Sequence, residues 1–144
     1  MAHLTTSWQI WALLAAIFAA LTAIFAKIGV EGIDSDLATF LRTIVVVAAL
    51  GLLVFATGKT HGLTDITPRT ALFLVLSGLA TGASWLCYFR ALQLGDAGRV
   101  APVDKLSVVF VAIIAAIFLG ERMSGVSWGG VALVAIGSVL VAVG

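Results

Sequence analysis

Four side chains within one apolar stretch raise the first chemical question. Ser77, Thr81, Ser84 and Tyr88 recur at steps of four, three and four residues, with Trp85 beside them. On a helix this spacing lines the hydroxyls along one face, because residues three and four apart are neighbours. A hydroxyl line with an aromatic edge suits a wetted pathway for an organic solute. The competing reading is close helix packing. Gly78-x-x-x-Gly82 on the adjacent face is a small-residue contact motif, and Ser or Thr hydroxyls can bond back to their own helix. The pathway reading is the stronger.

Charges inside apolar runs come next. A charge at the centre of a membrane helix costs at least about 2.5–3.5 kcal/mol, which makes it a functional candidate by default. The 15 residues 43–57 are too few to cross a bilayer, so their helix must begin near Leu37 and include Arg42. Arg42 then lies about 9 Å from Asp36, at about 1.5 Å per residue. It serves either as an interfacial anchor met by Glu31, Asp34 and Asp36 or as part of a site.

Asp104-Lys105 divides the same way. A helix starting near Ala101 puts Asp104 in the first turn, where the helix dipole favours an acid. One starting near Gly98 puts the pair one to two turns deep, beside a backbone loosened by Pro102. Broken helices of that kind hold substrates in transporters. Arg90, Glu121 and Arg122 sit at span ends, where solvent and headgroups reach them. Trp11, Phe18 and Phe25 recur every seven residues. That stripe suits core or lipid contact, with Trp11 also a candidate wall of the pathway.

Several chemistries lack their residues. No phosphate-cradling glycine loop ends in Lys-Ser or Lys-Thr. His3 and His61 have no Cys or His partner at metal-ligand spacing. No Ser, His and acid set assembles, so neither catalysis nor a cofactor is expected. A net charge of +1 in 144 residues is too small to suggest a nucleic-acid partner. Cys87 stands alone in an apolar run, which excludes an internal disulfide.

The elements carrying these residues follow from solvent. The chain is 62% hydrophobic and 10% charged, with a mean hydropathy of +1.20. Soluble domains are about 25% charged and about 45–50% apolar. Lipid is the solvent that fits. A span needs about 20 apolar residues, and stretches near 8–30, 37–57, 70–94, 100–120 and 126–143 qualify. The expected fold is an all-α integral membrane protein, a single domain of five transmembrane helices with almost no soluble part. The run from Trp8 lacks a basic leader and exceeds a signal's h-region of about 7–15 residues, so it reads as a retained helix. Asp36 is a candidate N-cap for the second helix. Thr67-Pro68 reads as cap and first position of the third. Short loops make consecutive spans antiparallel.

An odd number of spans leaves the termini on opposite sides. Lys59, Arg69 and Arg122 fall on one side against Lys27 and Arg99 on the other. Counting Arg42, Arg90 and Lys105 with the second side reverses the balance, so the charge rule selects no orientation. One topology with weak bias and insertion in both orientations stay open.

Most of the chain resembles a known family. Arg90-Ala91-Leu92, then Gly95 and a turn into Val100-Ala101-Pro102, carries the resemblance. So do Leu119-Gly120-Glu121-Arg122, Gly129-Gly130 and Ile136-Gly137. Trp11, Ala26-Lys27 and Phe40-Leu41-Arg42-Thr43 extend it more loosely. Together they are similar to the EamA-like family of the drug/metabolite transporter superfamily. The resemblance implies a five-helix repeat unit, of which full-length members hold two in tandem. Duplicating a five-span unit inverts the second copy. A half-length chain regains that arrangement only by pairing with an oppositely inserted copy or a separate partner.

The expectation is a half-size transporter in a bacterial-type inner membrane, working by alternating access as an antiparallel homodimer. Its partners are a small organic solute and the bilayer. Thr81, Ser84, Trp85, Tyr88, Lys105, Asp104, Arg42 and Trp11 are its candidate substrate residues. A flippase subunit for a lipid-linked molecule, working with a different partner, is one alternative. A membrane accessory subunit without a solute pathway is another.

Overall fold

The computed structural model describes residues 7–60, 62 and 66–144. His3, His61 and Asp65 lie outside the described residues.

Helices account for nearly all of the described residues: α1 Trp8–Gly29, α2 Ser35–Ala56, α3 Pro68–Leu94, α4 Ala97–Asp104, α5 Ser107–Phe118 and α6 Gly125–Val143. No strand occurs among the described residues. With α4 and α5 taken as one interrupted span, five segments are long and apolar enough to cross a membrane. In each, at most 11% of the most apolar window is buried, the reverse of a soluble core helix. Trp8, Phe55, Phe118 and Val126 are all more than 70% exposed, which suits hydrocarbon and not water.

The helix ends explain why the elements start where they do. Asp34, not the expected Asp36, caps α2: its carboxylate accepts from the Asp36 and Leu37 N–H groups at 2.9 and 3.1 Å. Asp34 alone has the extended backbone an N-cap requires, with φ −63° and ψ 136°. The Thr67 hydroxyl accepts from the Thr70 N–H at 3.2 Å, and Pro68 opens α3 as expected. Ser124 caps α6 through the Ser127 N–H at 3.1 Å. Gly120, with φ +67°, turns the chain after α5 so that the Glu121 N–H donates to the Ala115 carbonyl.

The chain divides into two compact units. One comprises Met1–Lys27 and Leu94–Gly144. Within it α6 packs along both α4 and α5. The Lys27 ammonium donates to the Gly95 carbonyl at 2.9 Å, and the Arg99 guanidinium to the Gly144 carbonyl at 3.2 Å. The other unit is Ile28–Gln93, which holds α2 and α3. There the Gln93 amide donates to the Ile33 carbonyl at 2.9 Å. The α2 and α3 backbones make few close approaches, so long side chains cross the interval.

Candidate functional site

In the α2–α3 unit the site is built around Arg42. It lies seven residues into α2, about 10 Å at about 1.5 Å per residue. Its side chain does not turn back to the acids at the start of the helix. The guanidinium carbon lies 4.0 Å from the centroid of the Trp85 ring and 5.5 Å from that of Phe89. A cation over a Trp face is drawn to the ring's negative π cloud, most strongly where water is scarce. Among the described residues no carboxylate stands within ion-pair distance of Arg42.

The nearby acid Asp34 is occupied in capping α2. Thr39 and Thr43 beside Arg42 donate their hydroxyls to the Ser35 and Thr39 carbonyls, at 2.8 and 2.7 Å. Both hydroxyl protons are spent within their own helix.

On α3 the hydroxyl stripe is partly spent. Thr81 donates to the Ser77 carbonyl at 2.9 Å, the back-bonding that competed with the pathway reading. Ser77, Thr81 and Ser84 are nevertheless exposed, while Trp85 and Tyr88 are half-buried. Tyr88 lies close enough to Arg42 to interact with it electrostatically. The sequence reading missed Phe89, which is buried and belongs to the Arg42–Trp85 group. Its spacing of four from Trp85 was the available signal. Arg90 bonds the Gln93 side-chain oxygen at 2.8 Å instead of reaching outward on its own.

The remaining candidates, Trp11, Asp104 and Lys105, belong to the other unit. The fourth span is interrupted there. α4 starts at Ala97, so Asp104 closes it about two turns in and is not in a first turn. Pro102 lacks the N–H that would bond the Gly98 carbonyl, and its ring crowds that carbonyl. The Lys105 and Leu106 N–H groups then make short-range bonds to the Pro102 and Val103 carbonyls, at 3.1 and 3.0 Å. α5 resumes at Ser107.

At this break the Lys105 ammonium meets the Asp104 carboxylate at 3.1 Å. Sequence neighbours do not face each other on a regular helix. The break is what lets them pair. Lys105 is also the C-cap of α4, where the dipole favours a cation and disfavours the Asp104 anion. The pair is therefore close to neutral overall but held at a frayed point. Trp11, on α1, is exposed.

Residues 6–143 match the EamA-like transporter family. The chain belongs to that family. An uncharacterized transporter in the cobO 3′ region of Sinorhizobium sp. is 59% identical over 140 residues, covering 97% of this chain and 99% of that relative. No solved structure matches the chain. The EamA-like assignment and the five apolar segments make this a multi-pass membrane protein and, in general terms, a membrane transporter. The single five-helix unit also agrees in extent with this transporter-named relative.

Proposed function

We propose that the protein is a half-size transporter of a small organic solute, completed by pairing with an oppositely inserted copy of itself and working by alternating access. The observation that carries the reading is the interrupted fourth span, with charged Asp104-Lys105 at the break. Irregular backbone at membrane depth persists where it lines a cavity or is buried in protein, and transporters bind solutes at such breaks.

Arg42, Thr81, Ser84, Trp85 and Tyr88 are the candidate solute contacts of the α2–α3 unit, and Asp104, Lys105 and Trp11 are those of the other unit. Pairing of two copies is supported by the glycines. At Gly78, Gly82, Gly129, Gly130 and Gly137 an added Cβ would meet nothing within 4 Å. Glycine is costly in a helix, and no described atom fills these Cβ positions, so the close approach of a second chain would suit their smallness. The membrane is a bacterial inner membrane, in keeping with the Sinorhizobium relative.

Reconstitution into vesicles with a panel of labelled metabolites tests the reading. Saturable uptake that Lys105→Met abolishes, at unchanged membrane levels, supports it. Uptake retained in Lys105→Met removes Lys105 from the pathway, and uptake of no metabolite rejects transport.

A further inference from the structure

We infer that the solute is an organic monoanion whose carboxylate docks on the outer edge of the Arg42 guanidinium, with its apolar body against the α3 aromatics. The inference rests on the transport reading and adds the sign of the substrate's charge.

The Arg42 guanidinium carbon lies over the Trp85 ring at 4.0 Å, and an arginine that stacks on an aromatic face keeps its in-plane N–H donors available to another partner. Those donors match a carboxylate bidentately. A half-buried cation about a third of the way along a 22-residue span, with no carboxylate beside it among the described residues, is an expensive arrangement. Trp85 and Phe89 offset part of that cost but neutralise no charge. No described residue supplies the counter-charge, and a bound anion would.

A cationic solute would meet like-charge repulsion at the same place. A phosphate dianion calls for more than one cation at this depth. Of the other described cations of the unit, Lys59 and Arg69 lie beyond or at helix ends, and Arg90, four residues before the end of α3, donates to the Gln93 side chain. One arginine with an aromatic floor fits one negative charge on an organic body. Trp85 and Tyr88 provide that body with a flat apolar contact and a polar neighbour.

Labelled probes of one shape and three charges test this: 4-hydroxyphenylacetate, 4-hydroxyphenylacetamide and tyramine. In phosphatidylcholine vesicles the carboxylate should enter about tenfold faster than tyramine, above protein-free controls. Arg42→Gln should remove that preference, and Arg42→Lys should retain part of it. Where Arg42→Gln does not accumulate in the membrane, Trp85→Phe carries the test, with a few-fold loss confined to the carboxylate.

Tyramine or the amide entering as fast as the carboxylate overturns the inference and leaves transport standing. Equilibrium dialysis against protein in phosphatidylcholine nanodiscs separates the converse case. Arg42-dependent binding of the carboxylate without entry keeps the anion site and rejects transport, whereas neither binding nor entry rejects both. Adding phosphatidylglycerol distinguishes a lipid headgroup at the same site. If that lipid is retained through Arg42 and displaces the carboxylate, a solute site is overturned.

Discussion

The guanidinium of Arg42 stands 4.0 Å over the ring of Trp85, joining α2 to α3 across an interval their backbones leave open. Few arrangements let an arginine remain within a membrane span. Among the described residues, the acids that precede α2 are not paired with it. The π face is the available partner, and it attracts the cation while leaving the hydrogen-bonding edge for another molecule. This pairing links the fold of one unit to the chemistry proposed for the solute.

A double-mutant cycle measures that link. Trp85→Leu and Arg42→Gln should each destabilise the protein in detergent, with an interaction energy of about 1–2 kcal/mol between them. Thermal unfolding followed by circular dichroism reads it. Additive effects would show that the stacking contributes nothing.

Asp34→Ala should cost about 1 kcal/mol by removing the side-chain acceptor for two N–H groups at the start of α2. Asp36→Ala lies within the helix and should cost less. The same unfolding assay compares them, and the reverse ranking would return the cap to Asp36.

Much of this architecture is legible in the sequence because lipid allows few solutions. Apolar length alone identifies five spans, and Thr67-Pro68 marks the start of α3. The α2 cap was misplaced because Asp34 and Asp36 both precede the apolar run, and only backbone dihedrals distinguish them. The break at Lys105-Leu106 was one of two open readings; Pro102 hinted at it, but the helix start at Ala97 decides the depth. Trp85 as the partner of Arg42 was invisible, since it comes from another helix and no local pattern encodes the pairing. The acids near in sequence looked like better partners than a ring far along the chain.

Pro102→Ala restores an N–H that can bond the Gly98 carbonyl and relieves the ring's clash with it. Slower amide exchange over residues 102–109 is the expected outcome, together with reduced uptake if motion at the break opens the pathway. Exchange unchanged from wild type would mean that another feature interrupts the span.

Gly137→Val tests whether the α6 glycines serve close packing within the chain or contact with a second copy. Nothing lies within 4 Å of an added Cβ, so the monomer should fold normally and show unchanged or slightly higher helix stability. Cross-linking between copies in the membrane should fall several-fold. Unaltered cross-linking would move the contact between copies away from this face.

Labelling of a single cysteine at Thr60 in a Cys87→Ser background tests the central claim, an oppositely inserted pair, most directly. Thr60 is exposed in the connection after α2. In intact cells an impermeant maleimide should reach part of the Thr60→Cys population from outside, and the rest only after the membrane is permeabilised. Complete labelling from one side alone would establish a single orientation and contradict the antiparallel homodimer.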